Sequence, residues 1–287
     1  MARPGPLILD FDQSVLPLPG SDRLPLEKWQ EDIRFGCPLQ MLQRLAGEIG
    51  RAIDGRSTLF LGSGDFHHLS HLLIRRHAQH GEMLQVVVFD NHPDNMRYPF
   101  GIHCGSWVTH VSRLPFVACV HVLGITSSDV GLAHAWENRL RPLREGRVRY
   151  WCVGPDLGWM KYVGIDASRS FGSIAEMLEA FTATIQTTSG PIYLSIDKDV
   201  LAPSEARTNW DQGVMQIEEL GAAIRALQGR NIASDVTGDV SIYRYRSRLN
   251  RLLSGLDGQP TITPDELQQW QTQHQSINLQ LLDWLNP

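Results

Sequence analysis

The chain has 287 residues, 42 % apolar and 20 % charged, which is enough for a large core and excludes a disordered or collagen-like composition. Twenty-six Lys and Arg against 31 Asp and Glu give a formal charge of −5, which argues against a general nucleic-acid binder. No uncharged apolar run reaches the ~20 residues of a membrane span, and the start MARPGPLILDFDQS is not a secretory signal, so a cytoplasmic protein is expected, with no membrane partner.

In chain order, the pattern predicts a strand at Leu7–Phe11, a helix at Pro38–Ile53, a strand at Thr58–Leu61 and a helix at His68–Gln79. Strands follow at Leu84–Phe89, Val117–Leu123 and Val148–Val153, then a helix at Ser173–Gln186 and a strand at Ile192–Ile196. A helix at Ile217–Leu227, a strand at Asn231–Val236 and helices at Tyr243–Leu253 and from Thr263 onward complete the set. Near-continuous Val/Ile/Leu runs are what strands covered on both faces look like. Strand and helix alternation predicts an α/β fold, three layers α/β/α with a central, mainly parallel sheet, in one domain over residues 1–287. Residues 127–169 are the least regular stretch and are expected to loop over the site. Cys37, Cys104, Cys119 and Cys152 form no C-x-x-C pair and are expected as reduced thiols.

Three strand ends carry metal-ligand side chains: Asp65, His67 and His68 in LFLGSGDFHH, Asp90, His92 and Asp94 in VVVFDNHPDN, and Asp197 and Asp199 in YLSIDKDVLAP. Seven of the 11 histidines lie between His67 and His103. In parallel sheets the functional groups collect past the carboxyl ends of the strands. A D-x-H-x-D run keeps its three ligands on one face if extended, and a turn at Pro93 converges them further. Carboxylates with one or two imidazoles suit Mn²⁺, Fe²⁺ or Co²⁺ better than a thiolate-type zinc site. So many donors exceed the needs of one ion and suit two metals a few ångströms apart.

These motifs resemble the arginase/agmatinase (ureohydrolase) superfamily of binuclear manganese hydrolases, with its G-G-D-H, D-A-H-x-D and S-F-D-x-D segments. The resemblance implies an arginase-like fold and two Mn²⁺ per chain. His67, Asp90, Asp94 and Asp197 would hold one ion, and Asp90, His92, Asp197 and Asp199 the other, with Asp90 and Asp197 bridging. It further implies a hydroxide nucleophile oriented by Asp94, and His103 as the proton shuttle to the leaving amine. A small guanidino compound or an arginine-containing peptide is the implied partner, and homo-oligomers are common in the family.

The chain departs from the pattern in places. Phe66 stands where the family has its His, so His67 is taken as the ligand, with His68 as the alternative. Ala202 replaces the third Asp of the third motif. Gly238 falls where the family has the Glu that grips the guanidinium, and Asp239 is the expected substitute. Trp210 and Asp211 are expected to shape the substrate mouth. Together these departures resemble peptide arginases, which convert arginine within a peptide to ornithine and release urea.

Three rivals stand beside this reading. Asp10 and Asp12 superficially match a haloacid-dehalogenase nucleophile strand. The paired His67-His68 suggests a histone-deacetylase-like amide hydrolase with one zinc, and a metal-dependent binding protein without turnover is the third. Arg244, Arg246, Arg248 and Arg251 read as a solvated helix face, with an acidic peptide partner as the alternative.

Overall fold

The computed structural model describes residues 4–78, 81–245 and 262–286. Its strands are β1 Leu7–Asp10, β2 Asp22–Pro25, β3 Gly36–Cys37, β4 Thr58–Ser63, β5 Leu84–Phe89, β6 Ile102–His103, β7 Val117–Ile125, β8 Val148–Val153, β9 Arg169–Phe171, β10 Ile192–Asp197 and β11 Asn231–Asp239. The main sheet runs β2-β1-β4-β11-β10-β5-β7-β8-β9 with every neighbouring pair parallel. β3 and β6 form a separate antiparallel pair.

All seven predicted strands are present. β2 and β9 lie at the two edges of the sheet and are largely exposed, so neither carries an apolar run that sequence reading could find. Side chains alternate between the two faces of a strand. Leu7, Leu9, Leu59, Leu61, Val86 and Val88 enter one core with Leu42, Leu45, Ile49 and Ile53 of the helix Leu39–Ile53. Ile8, Phe60, Val87 and Phe89 enter the other, against the helices Ile174–Gln186, Ile217–Leu227 and Pro264–Leu285. Two apolar cores, one on each face of the sheet, give the three layers.

The last helix starts where the sequence placed it. Thr263 accepts from the Glu266 amide, Glu266 accepts from the Thr263 amide, and Pro264 opens the first turn. The predicted helix Pro38–Ile53 is likewise present, whereas the one expected over His68–Gln79 is a 3₁₀ turn Gly64–Leu69 continued by a short helix Ser70–Arg75. Of the helix expected at Tyr243–Leu253, residues 243–245 are not helical and the remainder lies outside the described residues. Among the described residues, no helix is long and apolar enough to cross a membrane.

A fully buried ion pair ties the final helix to the sheet. Lys198 Nζ lies 2.7 Å from Asp239 Oδ1 and donates to Asn278 Oδ1 at 2.8 Å, and Asn278 Nδ2 donates to the same Asp239 oxygen at 2.9 Å. Removing one partner leaves a buried charge uncompensated. Lys198→Met is therefore expected to lose roughly 3–5 kcal/mol in urea unfolding, and Lys198→Met/Asp239→Leu to recover most of it. An equal loss in the single and double variants would contradict this reading.

Candidate metal centre

The central strands β4, β11, β10 and β5 are adjacent, and their carboxyl ends bring the predicted groups together. After β4, Ser63 Oγ accepts from the Asp65 amide and starts the 3₁₀ turn Gly64–Leu69. That turn absorbs the extra residue of the motif. Phe66 stacks on Phe11 in the core at 4.9 Å, Asp65 pairs with Arg34 at 2.6 Å, and His67 is left facing the strand ends of β5 and β10. His68 is fully buried and belongs to neither ligand group described below. After β5, Asp94 takes a left-handed φ of 44°, the turn that folds Asp90-x-His92-x-Asp94 back on itself.

His67 Nδ1 faces three carboxylate oxygens: Asp90 Oδ2 at 3.2 Å, Asp94 Oδ2 at 3.2 Å and Asp197 Oδ2 at 3.4 Å. One ring nitrogen carries at most one proton, so it cannot serve all three. Asp90 Oδ2 is shut off from water and makes no hydrogen bond. The far nitrogen is committed elsewhere. His67 Nε2 lies 2.9 Å from Ser195 Oγ, whose own proton goes to Asp235 Oδ1 at 2.7 Å. Nε2 is thus a donor, and it is Nδ1 that faces the cluster, free to offer a lone pair once its proton is displaced by a cation. Asp235 is held in turn by Ser70 at 2.9 Å and the Tyr193 hydroxyl at 2.6 Å.

His92 repeats the arrangement. Its Nδ1 is 2.9 Å from Asp199 Oδ2 and 3.5 Å from Asp90 Oδ1, and its Nε2 is 2.8 Å from Asp211 Oδ1. Asp211 thus orients His92 as well as standing at the mouth. His67, Asp90 and Asp197 form one group able to hold a metal ion, and Asp90, His92 and Asp199 a second, with the ligand atoms of each within 4.8 Å of one another. Asp90 is common to both. Asp94 sits beside the first group, its Oδ2 accepting from Trp107 Nε1 at 2.6 Å.

Electrostatics express the same crowding. Burial, reinforced by the Asp90 charge, pushes the carboxyls of Asp94 and Asp199 up to about 7. Burial and Asp199 drive Asp197 well up. Burial alone would lower His67 and His92, yet the contacts of His67 with Asp90 and Asp94, and of His92 with Asp199, raise both. Asp90 escapes the upward trend because its contacts with both imidazoles outweigh burial. Carboxylates and imidazoles without a thiolate, an orphaned buried oxygen and two imidazole nitrogens converging on the acids are a donor set that fits divalent cations of the Mn²⁺ kind.

These groups line a cavity of about 370 Å³. His103, Trp210 and Asp211, all singled out in the sequence, line it too. Burial lowers the His103 imidazole to about 4, and its Nδ1 accepts from the Gly105 amide at 3.1 Å. Trp210 Nε1 donates to Asp65 Oδ1 at 2.9 Å.

Asp239 does not reach the cavity. Its neighbour Lys198 is fully buried and needs a counter-charge, which Asp239 supplies. Gly238 cannot be replaced by an acid either. Its φ is +87°, and a Cβ there would collide with Asp197 Oδ1 and the Lys198 amide. Asp10 and Asp12 also have structural duties: Asp10 pairs with Arg23 at 2.6 Å, and Asp12 accepts from Ser14 and Ser241. Sequence reading missed Asp129 and Glu137, which line the cavity from the loop after β7. The available signal was Asp129 itself, an acid just past a strand's carboxyl end.

A family model described as "Arginase family" matches residues 28–238. An uncharacterized protein of Thermotoga maritima is 26 % identical over 228 residues, covering 79 % of this chain and 66 % of its own length. The chain thus spans just under two thirds of that relative. Formimidoylglutamase of Bacillus subtilis superposes with a TM-score of 0.58 at 14 % identity, covering 98 % of this chain and 86 % of its own. Proclavaminate amidino hydrolase of Streptomyces clavuligerus gives 0.54 at 17 %, covering 93 % and 76 %. A formiminoglutamase variant of Trypanosoma cruzi with Mn²⁺ gives 0.51 at 13 %, covering 91 % and 76 %. At these identities the likeness is one of fold.

Two outcomes follow from the geometry. Gly238→Ala displaces Asp197 and is expected to weaken Mn²⁺ binding by roughly 10–100-fold, read by titration calorimetry; unchanged affinity would contradict the close approach. Asp94 and Asp199 keep protons in the folded, metal-free protein up to about pH 7, whereas the unfolded chain releases them near ~3.9. The folded state therefore binds more protons through that window, and this cluster's contribution to stability falls as pH rises across it. The gain in Tm on adding Mn²⁺ should be larger at pH 8 than at pH 5.5, and a gain independent of pH would argue against these groups as ligands.

Proposed function

The chain belongs to the arginase family, and on that premise we propose that it is a cytoplasmic hydrolase holding two Mn²⁺ that cleaves a guanidino C–N bond with release of urea. The observation that carries this reading is a single carboxylate, Asp90, shared by two ligand groups that are each completed by one imidazole. The Mn²⁺ named with the Trypanosoma cruzi relative, and the amidino group in the name of the Streptomyces one, support the choice of metal and bond.

His67, Asp90, Asp94 and Asp197 are the proposed ligands of one ion, and Asp90, His92, Asp197 and Asp199 of the other. Bound divalent cations supply Lewis acidity, lowering the pKa of a water and offsetting charge that develops on the attacked group. The protein supplies the rest. Trp107 pins Asp94 so that its carboxylate orients the attacking water. His103 is neutral at rest and accepts on Nδ1 from the Gly105 amide, so its proton sits on Nε2. As water attacks, Nδ1 would release the Gly105 amide and take up the proton, and the imidazolium so formed would hand its Nε2 proton to the departing amine. Asp129 and Glu137 give the guanidinium its counter-charge, in place of the acid that Gly238 excludes.

An arginine side chain within a peptide is the substrate class we favour, its product being ornithine. The cavity opens beside Trp210 and Asp211, and two large rings stand in solvent next to its lining residues. Phe100 is 74 % exposed with its ring 5.7 Å from that of Tyr98, and Trp136, 71 % exposed, precedes Glu137. A free amino acid has no use for such a rim, whereas the neighbours of an arginine in a peptide would pack on it.

Urea release from free arginine, agmatine and an arginine-containing peptide by the manganese-loaded protein tests the reading. Urea from the peptide above all is expected, and no urea from any of the three would refute it. His103→Asn is expected to lower kcat by ~10²–10⁴-fold with manganese content unchanged. Full activity in that variant would remove His103 from the chemistry.

A further inference from the structure

A second cavity, of about 880 Å³, is lined by Arg97, Arg113, Arg139, Arg141, Arg144 and Arg147. Among the described residues, Glu145 is the single acid in its wall and no lysine lines it. On a chain whose formal charge is −5, this is a concentration of positive charge that the whole-chain balance conceals.

Part of it has local employment. Arg147 donates to the carbonyls of Ser112 and Leu114, and Arg141 Nε pairs with Glu145 at 2.7 Å. Arg144 and Arg97 are anchored through Nε, to the carbonyls of Val163 at 2.6 Å and Asn138 at 3.3 Å. Arg113 is exposed, and the buried Arg139 Nε has no acceptor among the described residues. Guanidinium groups gathered in this way repel one another, and an anion between them relieves the repulsion.

The wall of this groove is also the wall of the catalytic cavity. Met96 and Asn138 are bridged antiparallel, Arg97 donates its amide to the Glu137 carbonyl at 2.7 Å, and Arg139 donates to that of Asn95 at 3.0 Å. Along extended chain, successive side chains point to opposite sides. Met96 and Asn138 accordingly line the catalytic cavity, while Arg97 and Arg139, the next residue in each case, line the groove.

We propose that the arginine groove binds an acidic segment of the same polypeptide whose arginine enters the catalytic cavity. This rests on the peptide reading above and adds the sequence feature that the enzyme selects. Arginine forks match carboxylates, each able to take two parallel hydrogen bonds. A nucleic acid fits less well, because among the described residues no aromatic side chain lines the groove to stack a base. Crossing a wall two strands wide takes about 10–15 Å, or about three to five extended residues, which sets the spacing between the acids and the arginine.

The test uses the full chain loaded with manganese and two fluorescent peptides. Each carries one arginine, followed about four residues later by four acids in one and by their amide counterparts in the other. By anisotropy, the acidic peptide is expected to bind about tenfold tighter at low salt. This advantage should vanish near ~1 M salt, where the screening length is ~3 Å, and in Arg113→Glu, with Arg141→Glu as the second variant should the first not fold. Equal affinity for the two peptides, or an advantage that survives both charge reversals, would overturn the proposal. So would an RNA oligomer that outcompetes the acidic peptide, or a dimer of the chain that Arg113→Glu dissociates. Anisotropy reads binding without turnover, so a protein that binds the acidic peptide yet releases no urea would count against the hydrolase reading and for the groove.

Discussion

Four carboxylates, Asp90, Asp94, Asp197 and Asp199, lie buried within reach of one another at the carboxyl ends of β5 and β10. Negative charge at that density out of water is stable only with compensation, and two imidazoles do not provide enough. Much of the surrounding structure can be understood from this constraint. Ser195 and Asp235 hold one ring by its far nitrogen and Asp211 holds the other, so that both near nitrogens face the acids. Trp107 fixes Asp94, and the left-handed backbone at Asp94 brings it back to His67. A site so arranged is poorly suited to holding protons alone and well suited to holding cations.

The same packing explains a departure from the family pattern. Where β11 passes beside β10, the backbone at Gly238 comes too close to Asp197 and Lys198 for any side chain. An acid cannot occupy that position without pushing a proposed ligand aside. The guanidinium of the proposed substrate would have to be met from another wall, where Asp129 and Glu137 of the loop after β7 line the cavity. The arginines of the neighbouring groove lie just across that wall. The two cavities thus present opposite charges on either side of one paired segment, an arrangement that would favour a ligand of matching polarity.

Much of the fold was legible in the sequence because its strands are buried on both faces and read as unbroken apolar runs, as in VVVF before Asp90. The edge strands β2 and β9 were not, since strands this short and exposed leave no apolar signature. The convergence of His67 with the β5 and β10 carboxylates was legible too, because ligands at strand ends need only the strand order to meet. Asp239 was misread: the family resemblance offered it as the substitute for the acid missing at Gly238, but sequence alone does not reveal that Lys198 would be buried and claim it. Asp129 and Glu137 were missed because their loop carries no periodic signal, and only the tertiary pairing of Met96 with Asn138 brings it over the site.

In the proposed centre two metal ions share Asp90. Anomalous diffraction at the manganese edge from crystals grown with Mn²⁺ tests it most directly. Two peaks are expected, ~3.5–4 Å apart as in typical two-metal sites, one beside His67 Nδ1 and the other beside His92 Nδ1, with Asp90 between them. A single peak, or none at these side chains, would contradict it.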